Sequence, residues 1–172
     1  MERPNAWLTY SDADMQDLET VAKKYRHFLN VGKTERECIT QIVKEAEEAG
    51  YVSLEEKVKN GEELKAGDKV YQVGMQKIIA LYHIGEEDLA QGMNILCAHI
   101  DSPRLDIKQN PLYEDTDLAY LDTHYYGGVK KYQWVALPMA MHGVIVKKDG
   151  TVVNVTVGED EDDPVLYITD LL

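Results

Sequence analysis

A short apolar run in the middle of the chain constrains the fold more than any other feature. The run is "NILCAHI", Asn94 to Ile100, which is too short for a membrane span and too apolar for a surface strand. Such a run predicts a strand in the centre of a sheet, covered on both faces. His99 and Asp101 lie at its carboxyl end, and strand alternation places their side chains on one side of the chain. Because ligands of open α/β sheets gather at this end of the strands, a site is expected here.

Helices and a hairpin are predicted before this run. Apolar residues at helical spacing predict an amphipathic helix over Ser11–Leu29. Thr34 and Glu37 form a capping box for a second helix, which ends at Gly50. Residues 51–67 are polar and predict a turn-rich connection, and "EEDLAQGM" predicts a loop. Between these, "KVYQV" and "KIIALYHI" predict a β-hairpin, so this part of the chain is expected to be α/β.

The pattern changes beyond Lys108. Asn110 and Pro111 interrupt the alternation, which predicts a domain boundary near residue 110. The segments "LAYLDTHYY", "MAMHGVIVKK" and "TVVNVTVG" then predict strands. The last two flank Asp149–Gly150, a pair that predicts a hairpin with a type I′ turn. The chain beyond about residue 115 is therefore expected to be mainly β.

Composition excludes some classes of partner. The chain has 172 residues, enough for one domain or two small ones, and its hydrophobic fraction of 44% can supply a core. Its formal net charge is −13, so nucleic acid and anionic membranes, which need basic patches, are not expected partners. The acidic run Gly158–Pro164 lacks EF-hand spacing and predicts a solvated loop. The N-terminal residues lack the pattern of a secretory signal.

The two cysteines and most of the histidines predict no chemistry. Cys38 and Cys97 both lie in apolar patterns, which predicts buried free thiols in a reducing cytoplasm. The remaining histidines are expected in packing or surface positions, and none is assigned to a site; they are His27, His83, His124 and His142. His99 differs from them because a carboxylate follows it. Imidazole suits zinc, and a nearby carboxylate can accept its second ring N–H. The local pattern alone nevertheless also fits an ordinary strand-end histidine.

A longer stretch of sequence resembles the aspartyl aminopeptidase family, the M18 group of metallopeptidases. The resemblance is carried by "CAHIDSPRLDIKQNP" and the later "YYGG", and the N-terminal helices and "KIIALYHIG" fit the family order. That family has His-x-Asp-Ser-Pro, a Leu-x-x-Lys stretch and Tyr-Gly-Gly. The matching residues here are His99, Asp101, Ser102, Pro103, Leu105, Lys108, Tyr126, Gly127 and Gly128.

This resemblance implies a fold and a division of the chain. It implies part of an α/β, zinc-peptidase-like helix/sheet/helix catalytic domain over residues 1–110. It also implies part of a β-rich dimerisation domain over residues 111–172. The family further implies a dimer-based homo-oligomer, with a closed tetrahedral assembly of twelve subunits. The complete protein is expected in the cytoplasm.

The resemblance also implies an activity, the removal of N-terminal residues from peptide substrates by a two-metal enzyme. His99 would bind one of two zinc-type ions, and Asp101 would be a catalytic residue that orients His99. Further carboxylates and a second histidine, as well as a glutamate general base, are expected beyond Leu172. The apolar ending "PVLYITDLL" agrees with an N-terminal piece of a longer enzyme. Because one histidine and one carboxylate fall short of three or four ligands, this chain alone is expected to be inactive and to bind zinc weakly.

The chain departs from the family at one motif, so a preference for acidic N-terminal residues is not implied, and a second function class stays open because the other site motifs are expected beyond Leu172. The family has Trp-Phe-Asp-Arg soon after Tyr-Gly-Gly, where this chain has "VKKYQWVALPMAMHG". The alternative is a non-catalytic binding or assembly protein that keeps the first part of the fold and its oligomerising β segment.

Overall fold

The computed structural model describes residues 3–169 and divides the chain into two units between Ile100 and Asp101. We call residues 3–100 the first unit and residues 101–169 the second unit. The helices and strands of the first unit are α1 (Asp12–Val31), α2 (Glu35–Glu48), β1 (Val52–Ser53), α3 (Leu54–Lys59), β2 (Lys69–Gly74) and β3 (Ile78–His83). Those of the second unit are β4 (Arg104–Asp115), β5 (Leu118–Tyr126), β6 (Met141–Val146) and β7 (Val152–Val157).

Both long helices begin at a capping box. The Ser11 hydroxyl accepts from the backbone N–H of Asp14, and the Asp14 carboxylate accepts from the N–H of Ser11 at 2.8 Å. Thr34 and Glu37 form the same reciprocal pair at the start of α2. Each pair satisfies backbone donors that the first helical turn leaves without intrahelical partners. The helices predicted from Ser11 and Thr34 are confirmed.

The first unit has a small core between α2 and its sheet. The sheet has the order β1-β2-β3, with β1 parallel and β3 antiparallel to β2. Because β2 is the central strand, its Val70 is completely buried. Cys38, Ile39 and Ala46 are the buried residues of α2, the helix that packs on this sheet. The apolar face predicted for α2 is therefore the face that closes this core.

The connection over residues 51–67 contains more structure than predicted. It includes β1 and the short helix α3, where only turns were expected. Ser53 caps α3 by accepting from the N–H of Glu56. This spacing of serine and glutamate is the same capping signature that marks α2, so the sequence contained the signal.

The central strand predicted for Asn94–Ile100 is wrong within the described residues. These residues form neither helix nor strand, and Ile95 and Leu96 are 76% and 100% exposed. A central strand needs a hydrogen-bonded neighbour on each side. No strand within residues 3–169 pairs with this segment, so its apolar side chains have nothing to cover them.

The second unit consists of two antiparallel hairpins, β4–β5 and β6–β7. β4 continues through Asn110 and Pro111 with a register irregularity between Ile107 and Leu112, so the interruption in the pattern is a bulge. The division into compact units lies between Ile100 and Asp101, and the domain boundary near residue 110 stays a prediction. The predominantly β character predicted for the later residues agrees with these hairpins. The bridges of Leu166 and Ile168 to Met139 and Val135 are the last regular pairings described; residues 170–172 of the predicted chain ending lie outside the described range.

The type I′ turn predicted for the β6–β7 hairpin is found instead in the β2–β3 hairpin. Asp149–Gly150 was expected to form a type I′ turn, which needs positive φ at both residues. Only Gly150 has positive φ, at 86°, and the Lys147 N–H bonds to Thr151 across a longer loop. Met75 and Gln76, between β2 and β3, do have paired positive φ values of 51° and 56°. The strand pairing of the β2–β3 hairpin therefore holds non-glycine residues in a conformation that they rarely adopt.

Candidate functional site

His99 lies on the exposed segment that precedes the second unit. Its side chain is exposed, and residues 92–103 around it have no regular secondary structure. The next residue is Ile100. Its backbone carbonyl oxygen accepts a weak hydrogen bond, 3.7 Å long, from the thiol of Cys38 in the core of the first unit. The backbone beside His99 is thus tied to α2, while the imidazole is accessible to a ligand.

Asp101 is held by the β4–β5 hairpin. The hydroxyl of Tyr126, at the end of β5, donates to Asp101 Oδ2 at 2.9 Å. Arg104, at the start of β4, pairs with Tyr126 in the strand register. The second-unit residue predicted for catalysis is therefore attached to the tyrosine of the Tyr-Gly-Gly motif. Sequence analysis identified both motifs and missed the contact between them.

The donor atoms fit zinc in type but do not complete a site. Imidazole nitrogen and carboxylate oxygen are ordinary zinc ligands, and stable sites use three or four protein ligands. Among residues 3–169, no three His, Cys, Asp or Glu side chains are grouped to hold a metal ion. His99 therefore fits as a contributor to a zinc site that needs further donors.

The cysteines do not add to this donor set. Cys38 is buried as predicted, and burial raises the pKa of its thiol, with Glu37 and Glu35 raising it further. A thiol so shifted stays protonated at neutral pH and is a poor ligand and nucleophile. Cys97 is a free thiol like Cys38, but it is exposed, so the burial predicted for it is wrong. It lies on the same uncovered segment as Leu96.

The acidic run Gly158–Pro164 forms a loop closed by hydrogen bonds to one of its own carboxylates. Asp163 Oδ2 accepts from the backbone N–H groups of Gly158 at 2.7 Å and Asp160 at 3.2 Å. These bonds lower the pKa of Asp163 and close the loop that follows β7. The solvent-exposed acidic loop predicted from the sequence agrees with this arrangement.

The other histidines lie apart from the His-x-Asp motif. His27 on α1 and His83 on β3 are exposed. His124 stacks on Tyr125 with ring centroids 5.2 Å apart, and His142 Nε2 lies 3.1 Å from Glu159 Oε1. Their surface and packing positions agree with the sequence analysis.

The described residues contain no helix long and apolar enough to cross a membrane.

Comparison with known proteins gives one family. Residues 28–172 match the model of the family described as Aminopeptidase I zinc metalloprotease (M18). A Clostridium acetobutylicum protein named probable M18 family aminopeptidase 1 is 56% identical over 171 residues, covering 99% of this chain and 37% of that protein. A Thermotoga maritima protein of the same name is 42% identical over 176 residues, covering 100% of this chain and 36% of that protein.

Solved structures agree with these relatives. The crystal structure of aminopeptidase I from Borrelia burgdorferi B31 matches with a TM-score of 0.89 at 35% identity, covering 98% of this chain and 41% of that one. The aminopeptidase I structure from Clostridium acetobutylicum matches with a TM-score of 0.83 at 56% identity, covering 100% of this chain and 38% of that one. The α/β fold class is confirmed, and the chain spans little more than a third of the length of its curated relatives. With the family model matched from residue 28 onward and the folds superimposing over nearly all its length, the chain belongs to the M18 family of zinc metalloproteases.

Proposed function

We propose that this chain supplies part of the active site of a metal-dependent aminopeptidase that removes N-terminal residues from peptides. The observation that carries the proposal is the 2.9 Å hydrogen bond from Tyr126 to Asp101. It joins two motifs separated in sequence, His-x-Asp-Ser-Pro and Tyr-Gly-Gly, both of which characterise the family. Both groups lie at the surface, so the bond does not serve core packing and fits the support of a site.

In this proposal His99 is a zinc ligand and Asp101 is the catalytic residue that orients it. An exposed imidazole on a segment without regular secondary structure can approach a metal without displacing core residues. A carboxylate two residues later can accept the second ring N–H, which fixes the tautomer and the ring orientation. When bound, zinc lowers the pKa of a coordinated water and polarises the substrate carbonyl. The remaining ligands and the general base are assigned to the part of the family's length that this chain does not span.

Residues 111–172, which make up most of the second unit, are proposed to be the oligomerising part of the enzyme. None of that unit's described residues is buried, and β6 and β7 expose Ile145, Val146 and Val152. Neighbouring apolar side chains on paired strands favour a protein partner. We assign residues 1–110 to the catalytic domain and 111–172 to the dimerisation domain. The complete enzyme is then a dimer-based homo-oligomer, with twelve subunits in a closed assembly. Two free thiols, one of them exposed, fit a reducing cytoplasm.

Enzymatic assay of the complete protein tests the proposal. Zinc-loaded protein is incubated with peptides that have a free N-terminus and with the same peptides N-acetylated. Release of single residues from the free peptides only, lost on chelation and restored by zinc, is the expected result. Absence of hydrolysis in zinc-loaded, oligomeric protein would contradict the proposal and favour the non-catalytic assembly protein.

A further inference from the structure

Tyr126 makes contacts through both its hydroxyl group and its ring. The hydroxyl donates to Asp101 Oδ2, and the guanidinium carbon of Arg104 lies 4.0 Å from the centroid of the ring. Arg104 Nε in turn donates to Asp106 Oδ1 at 2.7 Å. Asp106, Arg104, Tyr126 and Asp101 therefore form one connected row at the open end of the β4–β5 hairpin.

The row is rigid because the strands fix two of its members. Arg104 and Tyr126 are register partners, so the ladder sets the position of guanidinium against ring. A planar guanidinium that stacks on an aromatic ring while donating to a carboxylate has little rotational freedom left. The ring of Tyr126 is thus held from one face, and the position of its hydroxyl oxygen follows from the ring.

The backbone segments on either side of the row also lie against each other. Gly127 follows Tyr126 with a φ of 74°, and a Cβ at this glycine would lie 3.5 Å from the Cα of Pro103. The turn after β5 therefore lies against the residue that precedes β4. Asp101 begins the second unit just before Pro103, so both its side chain and its nearby backbone are attached to the hairpin.

We propose that Tyr126 is a positioning residue that fixes Asp101 for its role beside His99, and that Arg104 holds Tyr126 in place. The inference rests on the proposed function of Asp101. Residues 92–100 before Asp101 form neither helix nor strand, so the hairpin, through the Tyr126 hydroxyl, supplies a fixed donor to the carboxylate. Supporting groups must hold a catalytic side chain to within roughly 0.5 Å, and a tyrosine locked by a stacked arginine provides such support. A carboxylate accepts from several donors at once, so the Tyr126 bond is compatible with an imidazole N–H on the same side chain.

The principal test uses Tyr126→Phe in the complete, zinc-loaded enzyme. This variant keeps the ring that stacks on Arg104 and removes only the donor to Asp101. We expect kcat to fall about tenfold and KM to change less than about twofold, in line with the loss of a supporting partner of a metal site. The matched control is Tyr125→Phe, whose hydroxyl makes no hydrogen bond within residues 3–169 and whose loss should leave kcat unchanged. Equal kcat in Tyr126→Phe and the wild type would overturn the positioning role.

A double-mutant cycle separates positioning from general loss of structure. If Tyr126 acts through Asp101, adding Tyr126→Phe to Asp101→Asn should cause little further loss of kcat, whereas independent effects would multiply. Zinc affinity, measured by competition with a chelator, should fall about tenfold in Tyr126→Phe and show the same non-additivity. Multiplying effects in both measurements would overturn the proposal. Inactive zinc-loaded wild-type enzyme would overturn the proposed function, while an active wild type with an unchanged Tyr126→Phe would overturn only the positioning role.

Discussion

The first and second units are both built on antiparallel hairpins, yet they differ in what covers the strands. In the first unit α2 packs on the sheet and the central strand buries Val70. In the second unit no described residue is buried, and the β6–β7 hairpin leaves its apolar side chains accessible. The comparison shows that strand pairing and core formation are separate requirements. A hairpin can have complete backbone pairing while its side chains still lack a partner surface.

A valine-to-aspartate substitution should have its largest difference in effect on stability between the first and second units. In the 172-residue chain, Val70→Asp places an unpaired charge in the core and should cost about 3–5 kcal/mol, enough to unfold the first unit. Val155→Asp lies on a half-buried position of β7 and should cost no more than about 1 kcal/mol. Amide hydrogen exchange of β2 and β6 measures each effect in its own unit. Equal losses of protection would show that the two hairpins are equally dependent on a core.

In the complete enzyme, Val155→Asp sharpens the comparison further. If β7 is covered by another subunit, the charge should break the oligomer although it scarcely affects the isolated chain. Light scattering measures the change. A variant that retains the wild-type molar mass would contradict the assignment of β7 to an interface.

The limits of sequence-based prediction follow the same contrast. The start of α2 was predictable because its capping box depends on residues three positions apart, and α1 was predictable from the helical spacing of its apolar residues. The strands of β2–β3 and β6–β7 were predictable because alternation is local. The prediction for Asn94–Ile100 was wrong because an apolar run forms a central strand only where neighbouring strands are present to pair with it. No strand within residues 3–169 pairs with this run.

The candidate site was predictable only as separate motifs. His99 and Asp101 were identified from the spacing and from the family resemblance. The Tyr126–Asp101 bond joins residues on different elements, and their approach depends on the hairpin register and the turn at Gly127. No periodic pattern in the sequence predicts that these two side chains come close together. The type I′ turn was misplaced for a similar reason, since pairing of β2 with β3 overrides the local preferences of Met75 and Gln76.

The turn at Gly127 offers a smaller perturbation of the second unit. Gly127→Ala should destabilise this unit by about 1–2 kcal/mol, because positive φ brings a Cβ close to backbone. Gly128→Ala is the matched control, since Gly128 does not have positive φ and a Cβ there meets no atom within 4 Å among the described residues. Urea denaturation monitored by hydrogen exchange in β5 compares the two variants. Similar stability of both would show that the turn does not constrain the hairpin.

The smallest expected effect concerns the contact that joins α2 to β2. The Tyr71 hydroxyl donates to Glu47 Oε1 at 2.8 Å, and this bond, followed by desolvation, raises the pKa of Tyr71 to about 12. The folded state then holds the phenolic proton more tightly than the unfolded state, whose pKa is about 10. The resulting stability is complete below pH 10 and is lost as the pH rises toward 12.

Tyr71→Phe should remove this alkaline dependence from the first unit and leave the second unit unchanged. Urea midpoints of the wild type and the variant, measured between pH 9 and pH 12, test the expectation. The variant should show a flatter decline across this range. Parallel declines in both proteins would mean that Tyr71 does not link α2 to β2 energetically.

Zinc content of the complete protein tests the central claim most directly. His99→Ala removes an exposed imidazole and should leave the fold and the oligomer intact, so the metal is the quantity that changes. His83→Ala removes another exposed imidazole, on β3, and serves as the control. Elemental analysis after removal of loosely bound ions should show at least one zinc ion per subunit lost in His99→Ala and none lost in His83→Ala, with aminopeptidase activity lost only in the former. Full zinc content and wild-type activity in His99→Ala would contradict the assignment of His99 as a ligand.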